Sequence, residues 1–297
     1  MRSEMIDLDG PVHYADYGGE GPPMVLVHGL GGSHLNWMRV GPSLAEHAHV
    51  YAIDLAGFGR TPPAGRSTDV RANRALLDRF IAHVGGRAIV VGNSMGGLIS
   101  ATQASLRPDS VSRLILVDPA LPRTAGHRPD AIVVAMFAAY AVPMVGERFV
   151  AERAKRLGAE GMVRETMRMC NADVSRVPKD VIDAHVRFAQ ERMDTMPWSA
   201  KSFLAAARSI VSVVAQKKQY NEMLRAIVSP TLVIHGDRDR LVPVGAARNL
   251  ASIQPDWTID VFEGVGHTPM IETPEAFVQS ITRWMGSTSG ERDSAAI

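Results

Sequence analysis

Short apolar runs alternate with longer amphipathic stretches through the first third of the chain. MVLV at 24–27, VYAI at 50–53, AIVV at 88–91 and LILV at 114–117 are almost wholly apolar, as expected of strands buried on both faces. Between them, Leu35–Glu46, Val70–His83 and Met95–Leu106 have the length and spacing of crossover helices. This alternation predicts an α/β fold with a parallel sheet covered by helices on both faces. Ahead of it, EMIDL and VHYADYG read as an antiparallel pair at the sheet edge.

The rhythm breaks after Pro119. From about residue 121 to 226 the pattern is helical, punctuated by Pro122, Pro129, Pro143, Pro178 and Pro197, and no strand pattern stands out. It resumes with TLVIHGD at 231–237, a helix near Val244–Ile253, WTIDVF at 257–262 and a final helix at Pro274–Trp284. The expected organisation is a core built from residues 1–120 and 227–286, with a helical insertion over 121–226 after the sixth strand. Residues 287–297 are small and polar and are expected to be a disordered tail.

Composition narrows the function classes. The 297 residues are 46% hydrophobic and 21% charged, with a formal net charge of +1, so no basic surface points to nucleic acid as a partner. Cys170 is the single cysteine, which excludes an internal disulfide. The start, MRSEMIDLDG, lacks the apolar stretch of a secretory leader, and the expected location is the cytoplasm. The most apolar segment, AIVVAMFAAYAVPMV at 131–145, is too short to span a bilayer and contains Pro143, so no membrane span is expected. No His/Cys/Asp cluster has metal-ligand spacing and no dinucleotide or phosphate-loop fingerprint occurs, so neither metal nor cofactor is expected.

The sharpest chemical signal is Gly92-Asn93-Ser94-Met95-Gly96, placed after a buried strand and before a helix. A bare G-x-S-x-G also occurs in ordinary turns; the strand–turn–helix context is what makes it a nucleophile elbow. Such a turn pushes the serine oxygen out towards a substrate, and glycines two residues either side leave room for the crossing backbone. His28-Gly29-Leu30-Gly31-Gly32 follows an earlier strand. In this arrangement the N–H groups of Leu30 and Met95 are the expected oxyanion donors. His267, on a loop after the last strand, is the expected base. Gly236-Asp237-Arg238-Asp239 offers the acid. Asp239 is the choice because Asp237 suits the turn itself, and Asp118 after LILV is a third candidate.

HGLGG, DLAGFGR, GNSMGG, GDRDRLVP and GVGHTPMIETPEAF occur in the order, and at about the spacing, of the α/β-hydrolase superfamily, which the chain resembles over residues 10 to 285. The resemblance implies an α/β-hydrolase fold with the insertion as its cap domain. It also implies Ser94 as nucleophile, His267 as base and Asp239 as acid. A serine at the elbow implies acyl chemistry, since the dehalogenase and epoxide-hydrolase relatives use an aspartate there.

Ester cleavage of an apolar acyl substrate, through an acyl-enzyme, is the leading expectation. GNSMGG also resembles the elbow of hydrolases that cleave C–C bonds in ring-fission products. The chain departs from those enzymes in GLGGSH, where they carry Gly-Pro-Gly, and in Thr268, where they carry tryptophan. A thioesterase or perhydrolase reaction would use the same triad, and a ligand-binding protein without catalysis would keep only the shell of the site. The expected partner is a small-molecule ester. Trp37, Asn93, Phe137 and Trp198 are candidates for the substrate pocket, and the methionine-rich cap suits an apolar acyl group. The same cap offers a surface for weak contact with lipid or for a homodimer.

Overall fold

The computed structural model describes residues 1–124 and 130–294, with side chains described as far as residue 287. Its strands are β1 (Arg2–Asp7), β2 (Pro11–Gly18), β3 (Pro23–Val27), β4 (His49–Ile53), β5 (Ala88–Asn93), β6 (Val111–Val117), β7 (Thr231–Gly236) and β8 (Thr258–Phe262). They form one sheet in the order β1-β2-β4-β3-β5-β6-β7-β8. β2 pairs antiparallel with both β1 and β4, and the remaining neighbours are parallel.

The continuous apolar runs are explained by two cores, one on each face. Val25, Val27, Val90, Leu114 and Leu116 point to one face, while Met24, Leu26, Ile89, Val91, Ile115 and Val117 point to the other. Each fully buried aliphatic side chain contributes about 1.5–3 kcal/mol, so a strand with no polar position is stabilised from both sides.

The helices are α1 (Gly41–Leu44), α2 (Val70–His83), α3 (Met95–Leu106), α4 (Ala131–Ala141), α5 (Val145–Cys170), α6 (Lys179–Thr195), α7 (Ser199–Ala215), α8 (Lys217–Arg225), α9 (Val244–Arg248), α10 (Pro269–Glu272) and α11 (Pro274–Ser294). Helices α4 to α8 fill the insertion after β6, and no strand interrupts them among the described residues. α5 bends at Gly158, whose φ of +60° leaves helical space. Near its end the insertion merges with the core: Tyr220 and Leu224 of α8 are buried in the same cluster as α3, and Tyr220 Oη donates to the Ala120 carbonyl.

Three expectations need correction. Leu35–Glu46 is not one helix but a 3-10 turn (His34–Trp37) followed by α1, because Pro42 cannot continue a helix from the preceding turn. The helix expected near Val244–Ile253 is α9 followed by a 3-10 turn over Asn249–Ser252. α11 runs on past Trp284 to Ser294, so the tail expected from residue 287 is helical that far; 295–297 lie outside the described residues. No proline follows Pro274, and adding residues to an existing helix is far easier than starting one.

No single helix among the described residues is long and apolar enough to cross a membrane; α4 and α5 pass only as a pair bent by 119°. Ile132, Met144 and Phe149 on this pair are exposed.

The strand order places the switch of winding direction between β3 and β5, where a parallel α/β sheet opens a crevice at its carboxyl edge. Register then aligns the strand ends: Val27 lies beside Gly92, Asn93 beside Val117, Val117 beside Ile234 and Gly236 beside Phe262. The loops that leave these ends carry Leu30, Ser94, Asp118, Asp239 and His267 to one rim.

Candidate active site

Ser94 sits between β5 and α3 with φ +54° and ψ −114°, a conformation that costs a side-chain-bearing residue about 1–3 kcal/mol. The surroundings hold it there. Its N–H donates to Val117 O at 2.9 Å, and its carbonyl accepts from Leu98 and Ala120 N–H at 3.1 Å each. The two elbow glycines are sterically required: a Cβ on Gly92 would lie 2.4 Å from Gly96 O, and one on Gly96 would lie 2.2 Å from Val27 O.

The loop after β3 approaches the elbow closely. A Cβ at Gly29 would meet the Asn93 and Ser94 side chains at 3.0 and 3.1 Å. The buried His28 fixes this loop, donating from Nδ1 to Gly29 O at 2.8 Å and accepting Leu55 N–H at Nε2. Burial pushes its pKa down, which suits this neutral tautomer. The Leu30 and Met95 amides donate to no other group among the described residues. Met95 occupies the first turn of α3, where an amide has no partner within the helix.

His267 Nδ1 and Asp239 Oδ2 are 2.7 Å apart, with both residues buried. The second Asp239 oxygen accepts Leu241 and Val242 N–H at 2.7 and 3.0 Å. Burial works to raise the Asp239 carboxyl, but the charge and hydrogen bond of His267 outweigh it and hold the group below the usual carboxylate range. The other aspartates have different surroundings. Asp237 accepts Gly264 N–H at 2.7 Å and so ties the β7 turn to the histidine loop. Asp118 is fully buried behind Asp239 and accepts Gly236 N–H at 2.9 Å. Burial, and then the Asp239 charge, push its carboxyl well above the usual range.

Ser94 and His267 face the same cavity of about 930 Å³, walled by core and cap together. No hydrogen bond joins Ser94 Oγ to His267 Nε2 in this geometry; such bonds often tighten only when substrate is bound. Phe137 lines the cavity with Met136, Met162, Met167, Met169 and Met193 from the cap. Cys170 also lines it, but burial pushes its thiol up to about 12, which leaves it no competing nucleophile.

Three pocket candidates behave differently from Phe137. Asn93 lines the cavity, yet its Nδ2 donates to Val117 O at 3.2 Å and to His267 O at 3.1 Å, bridging β6 to the histidine backbone. Trp37 is fully buried beneath the site against Phe277, with ring centroids 6.4 Å apart; the 3-10 turn carries Ser33 and Asn36 to the cavity and turns Trp37 the other way. Trp198 caps α7 ahead of the residues that reach the cavity, Ser199, Ala200 and Phe203, and does not itself line it.

Sequence reasoning missed Glu272. Its buried carboxylate accepts Gly266 N–H at 2.8 Å, Ala172 N–H at 3.0 Å and Asp173 N–H at 2.9 Å. The His267 amide donates to Cys170 O, and Thr268 Oγ1 donates to Asn171 at 2.9 Å. The histidine loop is thereby fastened to the end of α5.

A family model described as alpha/beta hydrolase fold matches residues 22–274. The chain is similar to a 2-hydroxy-6-oxo-6-(2'-aminophenyl)hexa-2,4-dienoic acid hydrolase of Metapseudomonas resinovorans, at 30% identity over 88% of this chain and 83% of that protein. It is also similar to the pimeloyl-[acyl-carrier protein] methyl ester esterase of Vibrio cholerae, at 28% identity over 90% of this chain and 96% of that protein. Among solved structures, an esterase from Thermogutta terrifontis superposes with a TM-score of 0.69 at 24% identity, covering 97% of this chain and 99% of that one.

Proposed function

The chain belongs to the α/β-hydrolase fold family, and from that premise we propose that it is a serine hydrolase cleaving carboxylic esters of an apolar acyl substrate. The observation that carries the reading is one constellation. Ser94 is strained outward into a large apolar cavity, between two amides without partners among the described residues, beside a histidine whose Nδ1 is held 2.7 Å from a buried aspartate.

The geometry supports a two-step acyl transfer. With Nδ1–H committed to Asp239, Nε2 of His267 carries the lone pair and takes the proton from Ser94 Oγ as it attacks the ester carbonyl. The resulting oxyanion is received by the Leu30 and Met95 amides, a pair of donors worth about 3–4 kcal/mol each in such sites. His267 returns the proton to the departing alcohol. Water then attacks the acyl-enzyme, His267 takes its proton, and Ser94 leaves as the hydroxyl while the acid is released. Asp239 holds the imidazole in the required tautomer and stabilises its charged form.

A second reading, C–C bond hydrolysis, is favoured by the similarity to the dienoic acid hydrolase. The two separate in one experiment. A p-nitrophenyl ester series from acetate to palmitate is run beside a ring-fission dienone, with Ser94→Ala as control. The ester reading expects an optimum within the series that the variant abolishes. Fast loss of the dienone chromophore with weak ester turnover would replace it with the C–C reading. Substantial ester turnover by Ser94→Ala would refute the nucleophile.

A further inference from the structure

The turn that joins α4 to α5 carries two features that each disfavour the folded chain in water. Ala141, Val142, Pro143, Met144 and Val145 are five successive exposed apolar residues, and Phe149 adds to them one turn into α5. Met144 is 83% exposed, the highest value among the described large apolar side chains. It also holds φ +66° and ψ −39°, a conformation that strains a residue with a side chain and that glycine adopts freely. Glycine here would relieve the strain and remove the exposed apolar surface together. A methionine that does neither is accounted for by an apolar phase that it enters.

The charges around the turn identify that phase. Arg148, Lys155 and Arg156 are exposed and have no carboxylate within ion-pair distance among the described residues, whereas Arg153 pairs with Glu165, Arg164 with Glu160 and Glu147 with Arg208. Three cations against the one unpaired acid of this stretch, Glu152, leave an excess of two positive charges. At a rise of about 1.5 Å per residue, Arg148 lies about 6 Å behind Met144 along α5, and Lys155 and Arg156 about 17 Å behind it. An apolar tip with cations set back from it suits a lipid surface, where apolar side chains enter by about 5–10 Å and cations face the phosphates. Pairing with a second copy about a two-fold axis would bring the same cations together, which opposes that occupant. The inner side of α4 lines the cavity with Met136 and Phe137, so the turn lies one helix from the space that Ser94 faces.

We propose that the α4–α5 turn docks on an anionic lipid bilayer, with Val142, Met144 and Val145 among the acyl chains and Arg148, Lys155 and Arg156 facing the headgroup phosphates. None of these six residues lines the cavity. The docking is a binding event distinct from the chemistry at Ser94, and it holds whichever bond the site cleaves.

The test is co-sedimentation of the full chain with phosphatidylcholine vesicles, neutral or with a third of the lipid replaced by phosphatidylglycerol. Wild type should partition onto the anionic vesicles about tenfold or more above the neutral ones, as two net charges near such a surface require. Met144→Gly should bind the anionic vesicles about tenfold more weakly while melting no lower than wild type, because the substitution relieves the strained backbone. Arg148→Gln/Lys155→Gln/Arg156→Gln should bind both kinds of vesicle alike. No binding of wild type to the anionic vesicles, or undiminished binding by either variant, would overturn the proposal. So would a wild-type dimer in analytical ultracentrifugation that Met144→Gly converts to monomer, since a second copy would then cover the turn.

Discussion

Replacing Glu272 by glutamine should loosen the histidine loop while changing almost nothing in shape. The carboxylate receives three backbone N–H groups, two on Oε2 (Ala172, Gly266) and one on Oε1 (Asp173). A glutamine amide offers only one acceptor oxygen, so in its better orientation it keeps the Ala172 and Gly266 bonds and sets its NH₂ against the Asp173 N–H. One buried donor left unpaired costs about 1–3 kcal/mol, and the two retained bonds lose their charge assistance. A loss of about 2–3 kcal/mol follows; the 3.4 Å contact with the half-exposed Arg176 adds little. At about 2 °C per kcal/mol for a chain of this size, the melting temperature should fall by about 5 °C. Since Gly266 precedes His267, kcat should fall by about tenfold with KM nearly unchanged, as small misplacements of a catalytic group do. The assay is thermal unfolding followed by fluorescence, with ester kinetics on the same preparation. A melting temperature within about 1 °C of wild type together with an unchanged kcat would refute the reasoning.

Gly96→Ala should fail to give active folded protein, because the new Cβ would lie 2.2 Å from the Val27 carbonyl; recovery of soluble enzyme with wild-type turnover would contradict the packing described. Asp239→Asn should lower kcat by about 10³–10⁴ with little change in KM, since the amide favours the wrong imidazole tautomer; a loss under about tenfold would point to another acid. Asp118→Asn tests the sign of a raised pKa. The folded carboxyl titrates above its unfolded value, so its contribution is favourable at low pH and is lost as pH rises through the folded pKa. The neutral amide removes that loss, so the variant should gain stability relative to wild type as pH rises above the ordinary carboxylate range, measured by urea unfolding, and a difference that does not change with pH would contradict the raised titration. For Asp239 the sign is opposite: its depressed pKa supplies stability above the ordinary carboxylate range, and Asp239→Asn should flatten the loss of stability below about pH 4.

The sheet was legible because its strands are buried on both faces and so are written as unbroken apolar runs. The elbow was legible for a related reason: one tight turn demands glycine at 92 and 96, and those demands are local. The pairing of Asp239 with His267 was expected from loop position together with the family resemblance, since chain order alone left Asp118 and Asp237 open. Glu272 was not legible, because its partners at Ala172 and Asp173 are about a hundred residues away and are backbone groups with no side-chain signature. Trp37 could not be assigned to the pocket or to the core beneath it, because a four-residue 3-10 turn has no periodicity long enough to show which side faces the cavity. Pocket walls built by α4 to α7 depend on how helices pack across the sheet edge, which helical spacing alone does not fix.

The fastening of the histidine loop to Cys170, Asn171, Ala172 and Asp173 has a consequence for how caps can be exchanged between proteins of this architecture. A graft that replaces the whole insertion discards the peptide edge on which His267 rests, even when Ser94, Asp239 and His267 are untouched. A chimera that keeps the recipient's residues 170–173 and exchanges only what precedes them, α4 and the body of α5, would vary the cavity wall while leaving the support of His267 intact. That stretch therefore divides the insertion into a part that shapes the cavity and a part that holds the His267 loop in place.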